Sequence, residues 1–250
     1  MIKINKGNAP QQLLDKEREL VRDLKAQYDA NPNEYGEKGF KFTGDYKMDA
    51  VKEALIDCQH DKCCFSEAKF NRDYSNVEHF RPKGRIDPYP RGKSEYPGYY
   101  WLAYNWENLF LCKAAINSSD KRNYFPLQRN SPRNRNHHDN YTEQPLLIDV
   151  AKENPRDFIR FRNEEPYGIN EKGKFNVKFF QLRHPQLAEA RKTWFKLLNA
   201  IKTAVEKGIE RGDDKSEYQE EIDVLRESMN PEEQFSSMAI DFLQDWPHFE

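Results

Sequence analysis

A chain of 250 residues is long enough for one sizeable domain or a catalytic core with additions, and its 16 Phe, 13 Tyr and 4 Trp exclude a disordered polyampholyte despite 33% charged residues. The net charge of −2 excludes a uniformly basic nucleic-acid binder but averages over opposite regions: five Arg or Lys against one Asp between His79 and Lys93, six against one between Lys113 and Arg135, and fourteen acids against four bases from Val205 to Glu250. With no apolar run near the ~20 residues of a membrane span and no signal-like core in the first twenty residues, the expectation is a cytoplasmic protein without a membrane partner.

In chain order, residues 10–30 place Leu13, Leu14, Leu20, Val21 and Leu24 at near-helical spacing, which predicts an amphipathic helix starting near Pro10. The stretch ANPNEYGEKGF breaks that pattern, and YKMDAVKEALIDCQ predicts a second helix on Met48, Val51, Leu55 and Ile56. CCFSEAKF and NVEHFRP are short and aromatic or β-branched around the turn sequence NRDYS, which predicts a hairpin whose second strand carries His79. RPKGRIDPYPRGKSEYPG reads as a long loop, YYWLAYNWENLFLCK as core, and the chain past residue 150 as mainly helical. Within that last part HPQLAEARKTWFKLLNAIKTAVEKG carries an apolar stripe, and NPEEQFSSMAIDFLQ reads as a helix capped by Asn230 with Pro231 at its first position.

The adjacent Glu78 and His79 offer a carboxylate for a hard cation and an imidazole that can take a proton from water. Neighbouring strand residues point to opposite faces, so the two can share a site only where the strand ends, and Pro82 predicts such an ending. Downstream, WENLFLCKAAINSSDKRNYFPL supplies Asn108 and Asn117.

With these elements the chain resembles the HNH endonuclease superfamily, and VEHFRPKG, YYWLAYNWENLFL and NYFPL are similar to its PtuB-like branch, the nucleases of Septu anti-phage systems and of some retron-linked defence cassettes. The resemblance covers about residues 58–127, with a weaker likeness in QPLLIDV and PQLAEARKTW. It implies an α+β fold, a small ββα-metal (HNH) core embedded in a largely helical chain: a helical segment over 1–57, the nuclease core over 58–127, and a mainly helical region with an acidic tail over 128–250. It makes His79 the general base, Asn108 the residue that orients it, and Glu78 and Asn117 the ligands of Mg²⁺ or Mn²⁺, with Asp120 and Asn123 as alternatives to Asn117. Arg81, Lys83, Lys121 and Arg122 are expected to hold flanking phosphates.

Relatives brace this core with a zinc ion on two C-x-x-C pairs, a scheme broken here: Cys63 is retained, Ser66 stands in place of the second cysteine, and Lys113 and Ile116 fill the other pair, with Cys112 one residue out of register. No structural zinc of that type is expected, and buried thiols are the preferred reading over an improvised site from Cys58, His60, Cys63 or Cys64, and Cys112. The resemblance implies an HNH endonuclease acting on nucleic acid, DNA favoured, with an ABC/SMC-like ATPase of the PtuA type as partner and, in retron-linked cassettes, a reverse transcriptase and its msDNA. The alternatives are an effector that cuts RNA, such as tRNA, and a non-catalytic adaptor of the ATPase. The acidic tail suits docking on a protein and equally a solvated helical face.

Overall fold

The computed structural model describes residues 1–70, 75–113 and 121–249. It mixes helices with two small antiparallel sheets, the α+β character expected. The amphipathic stripe forms α1 (Gln11–Ala30), which buries Leu13 and Leu24 against the aromatic segment at Tyr100–Leu102. The stretch read as a break holds a short helix instead, α2 (Pro32–Lys38): Pro32 opens it, Glu34 sits in its first turn, and Gly39 at φ 67° ends it. Helix α3 (Asp49–Gln59) buries Val51, Leu55 and Ile56 and stops at His60 and Asp61, both in the left-handed region.

The hairpin departs from expectation in its pairing. CCFSEA is a tight turn closed by a bridge between Lys62 and Lys69, with Glu67 at φ 60°. Strand β1 (Ser75–His79) pairs antiparallel with β2 (Leu109–Lys113), in the register Glu78 with Phe110 and His79 with Leu109. The apolar run LFLC is buried on both faces, so it belongs inside the fold, where β1 covers one edge and Cys64 N donates to Leu111 O at 3.1 Å. Gln59 at the end of α3 brackets the same residue, accepting from Leu111 N and donating to Leu111 O.

Beyond residue 150 the chain is helical except for a hairpin that periodicity did not signal, β3 (Ile159–Arg162) with β4 (Glu165–Gly168), turned at Asn163. Helix α4 (Glu171–Phe179) is capped by Asn170, whose side chain accepts from Gly173 N, and lies so close to the hairpin that a Cβ on Gly173 would overlap the Phe158 carbonyl. Helices α5 (Pro185–Arg211) and α6 (Gln219–Glu227) precede α7 (Ser236–Leu243). That last helix starts six residues after Asn230, because residues 230–235 form turns whose carbonyls, those of Pro231 and Glu233, receive the Lys62 ammonium.

Among the described residues, three buried clusters hold these parts together. One joins α1, α3 and β2 through Tyr100, Tyr104 and Trp106; one joins α5, α6 and α7; and the largest runs from Met1 to Leu182, with Phe65 stacked on Phe180 at 4.0 Å. Glu67 is the polar pin between the N-terminal half and α7. Burial alone would raise its pKa, but the Met1 amino group, Lys62 and Ser237 overcome that and hold it at about 2. A carboxyl depressed from 4.5 contributes stability that is complete above pH 4.5 and is lost as the pH falls toward 2. Glu67→Gln should therefore cost on the order of 3 kcal/mol in urea unfolding at pH 7, and the gap to wild type should narrow progressively below pH 4.5.

Candidate active site

Strand alternation would send Glu78 and His79 to opposite faces, but His79 is the last residue of β1, and the chain turns away from the sheet at Phe80, whose N–H donates to Asn108 O at 2.9 Å. Both side chains therefore reach one cleft of about 760 Å³, lined also by Phe42, Tyr46, Lys83 and Arg122. His79 is only 5% exposed. Its Nε2 lies 2.8 Å from the Ala103 carbonyl, and since a carbonyl can only accept, that nitrogen carries the proton and Nδ1 keeps the lone pair. The ring meets Tyr46 edge-on at 4.7 Å. Burial pushes the imidazole pKa well below its ordinary value, with Lys83 and Lys121 adding in the same direction, so the ring is neutral at pH 7.

Asn108 ties the strand end in place through its side-chain amide. Its Oδ1 accepts from Arg81 N at 2.7 Å, and its Nδ2 donates to the carbonyls of Arg81 and Leu102, both at 3.0 Å. One buried amide thus fixes the exit of β1 and the turn that presents Ala103, the two backbone segments that orient His79.

The remaining expected site residues fall in distinct places. Lys83 is half-buried in the cleft, its ammonium 4.2 Å from the Tyr46 ring, and burial lowers its pKa to about 8 against the opposing pull of Glu78. Arg122 is exposed on the same cleft, which Lys38 and Arg85 also line. Lys121 is fully buried, with its ammonium 3.4 Å from Glu78 and 3.3 Å from the His79 carbonyl. Arg81 points away from the cleft, into an ion pair with buried Glu143 at 3.0 Å that Tyr99 and the Asn134 N–H share. Asn117, the expected second metal ligand, and its alternative Asp120 lie outside the described residues. Asn123, the other alternative, lines the cleft, with its amide 3.4 Å from Asp87.

For a divalent cation, Glu78 is a hard oxygen donor, only 9% exposed and next to a neutral imidazole, which suits an ion that keeps most of its water shell. Among the described residues the cleft's other carboxylate, Asp87, is engaged by Arg85, Ser94 and Asn123. The Lys121 ammonium shares the Glu78 carboxylate, so a cation there binds opposite a fixed positive charge.

At the broken zinc positions, Cys112 faces inward from β2 and its sulfur lies 3.9 Å from that of Cys63, while Lys113 is exposed. Ser66 is buried beside them, and the three thiols Cys63, Cys64 and Cys112 are all buried in the largest cluster. No helix among the described residues is long and apolar enough to cross a membrane.

Sequence reasoning did not find the Ala103 carbonyl or the Tyr46 edge. A backbone acceptor has no residue signature, and Tyr46 lies 33 positions from His79, in a segment whose helical pattern gave no hint of the cleft.

These features define an α+β protein in which the end of a short antiparallel strand pair presents a neutral histidine and a carboxylate to a cation-lined cleft. The chain is similar to the Septu protein PtuB of Bacillus mycoides (strain KBAB4), with 31% identity over 186 residues, 73% of this chain and 63% of that protein. It thus spans less than two thirds of the length of the curated relative it matches. No protein-family model matches the chain. No solved structure matches it.

Because Asn108 is buried and its amide makes three bonds to the backbone of Arg81 and Leu102, Asn108→Ala should destabilise the chain by about 2–3 kcal/mol in chemical denaturation. Asn108→Asp, which loses the donor to two carbonyls but keeps the volume, should fall in the same range.

Proposed function

We propose that this protein is a metal-dependent HNH endonuclease, the effector of a Septu-type anti-phage system, hydrolysing nucleic-acid phosphodiester bonds with DNA favoured. The observation that carries the reading is the His79 ring, whose Nε2 is committed to Ala103 so that Nδ1 is the basic nitrogen, in a cleft lined by cations and beside Glu78. His79 takes a proton from water as the water oxygen bonds to phosphorus and the bond to the leaving oxygen breaks. Asn108 acts through the backbone, holding the strand exit and the Ala103 turn in register. Lys83 and Arg122 hold phosphates on either side of the reacting one, which gives affinity with little sequence choice. Glu78 is one ligand of Mg²⁺ or Mn²⁺, and the ion, when bound, supplies charge stabilisation at the phosphoryl oxygens. Asn117 is the further ligand in this reading, and the three buried thiols serve as packing in place of a family zinc. The partner is an ATPase of the PtuA type, as the likeness to PtuB supports.

A second reading, a non-catalytic adaptor that retains the fold, draws on the Lys121 ammonium, which lies 3.4 Å from Glu78 and offsets its charge. The two separate in a Mg²⁺-dependent cleavage assay on supercoiled plasmid and on total RNA, with the chain alone and with the ATPase. Wild type should cut, and His79→Ala and the volume-conserving His79→Gln should each lose at least ~10²-fold in rate. An intact, correctly folded protein that never cuts, together with unaltered phage protection by both variants, would establish the adaptor instead; cutting of RNA alone would move the substrate class.

A further inference from the structure

Away from the cleft, the last turn of α1 and the loop between Arg133 and Glu143 meet at a group that the nuclease reading does not use. The Nε2 atoms of His137 and His138 converge on the two oxygens of one carboxylate: His138 lies 2.7 Å from Asp29 Oδ1 and His137 3.5 Å from Asp29 Oδ2. One ligand atom from each of the three residues lies within 4.8 Å of the others, the compass of a small tetrahedral or trigonal coordination sphere.

The group is built around that convergence. His137 is nearly buried, and its other ring nitrogen, Nδ1, is hydrogen-bonded to the Tyr100 hydroxyl, the outer contact that fixes the orientation of a metal-ligating imidazole. Tyr28, one residue before Asp29, packs edge-on against the same ring and stacks on Tyr100 at 5.3 Å. The loop presents both histidines by local bonds: Asp139 accepts from the N–H groups of Arg135 and Asn136, and Asn136 in turn accepts from His138 N. The two imidazoles stand 4.0 Å apart, a poor arrangement for two cations and a good one for two neutral rings sharing a dication.

We propose that Asp29, His137 and His138 form a second metal site, selective for a borderline transition-metal dication such as Zn²⁺, with water completing its coordination. Two imidazoles and one carboxylate suit such an ion and not Mg²⁺, which prefers oxygen ligands alone. The bound ion closes a loop of more than one hundred residues between α1 and the 133–143 segment. That segment also carries Glu143, the partner of Arg81 just beyond the strand that bears His79, and Tyr100 packs on Phe40 of the cleft wall at 4.5 Å. The ion is therefore a staple behind the cleft.

The test uses the full chain, stripped with chelator and titrated with Co²⁺ and then Zn²⁺ in millimolar Mg²⁺, for wild type, Asp29→Asn, His138→Gln and His137→Gln. Asp29 and His138 are exposed, so their variants should keep the wild-type melting temperature in chelator, which separates a lost site from a lost fold. The expected result is one equivalent of Co²⁺ with visible d–d bands and no thiolate charge-transfer band, a rise in melting temperature with Zn²⁺ in wild type, and at least ~10-fold weaker binding in each variant. Unchanged stoichiometry and affinity in the folded variants, a thiolate band that assigns the ion to the cysteines, or no binding by wild type would each overturn the proposal.

Discussion

The buried amide of Asn108 carries more of the architecture than its size suggests. Strand β1 ends at His79 and β2 begins at Leu109, so the last rung of the ladder stands one residue from this side chain, and the amide spans from there to the backbone of Arg81 and Leu102. An asparagine suits the position because a single planar group must accept from one N–H and donate to two carbonyls, which neither a carboxylate nor a hydroxyl can do. If that bracket is lost, the Ala103 carbonyl and the His79 ring no longer face each other, and the choice of which imidazole nitrogen is basic goes with it.

Charge in this protein is handled by burial with partners. Lys6 donates to the carbonyls of Trp106 and Leu109, Lys62 to those of Pro231 and Glu233, Lys121 reaches the His79 carbonyl and Glu78, and Arg191 the carbonyl of Glu164. Most of these cations end on backbone oxygens, which lets long side chains fasten distant segments without an acid opposite each one. The basic middle of the sequence is consequently divided: some of its lysines and arginines hold the fold, and others face the cleft.

The same division separates what reasoning on the sequence located from what it did not. The strand end at His79 and the amphipathic helices α1, α3 and α5 were legible because local rules fix them: periodicity and the proline three residues after His79. The partner of β1 was not, because CCFSEAKF and LFLCK carry similar apolar signals and only the competition for buried space assigns one to a turn and the other to the sheet. Arg81 and Lys121 look like surface cations in a one-dimensional reading, and Glu143 and Glu78, 62 and 43 positions away from them, turn both inward.

By itself, the sequence determined where the long amphipathic helices lie and that the strand bearing His79 ends just before Pro82, since these follow from neighbouring residues and from the chemistry of individual side chains. Tertiary structure decided which nitrogen of His79 is free, which cations reach solvent, and that Asp29 meets His137 and His138 across more than one hundred residues. Contacts of that kind depend on how whole elements pack, and chain separation of that length leaves no periodic or compositional trace for a linear reading to follow.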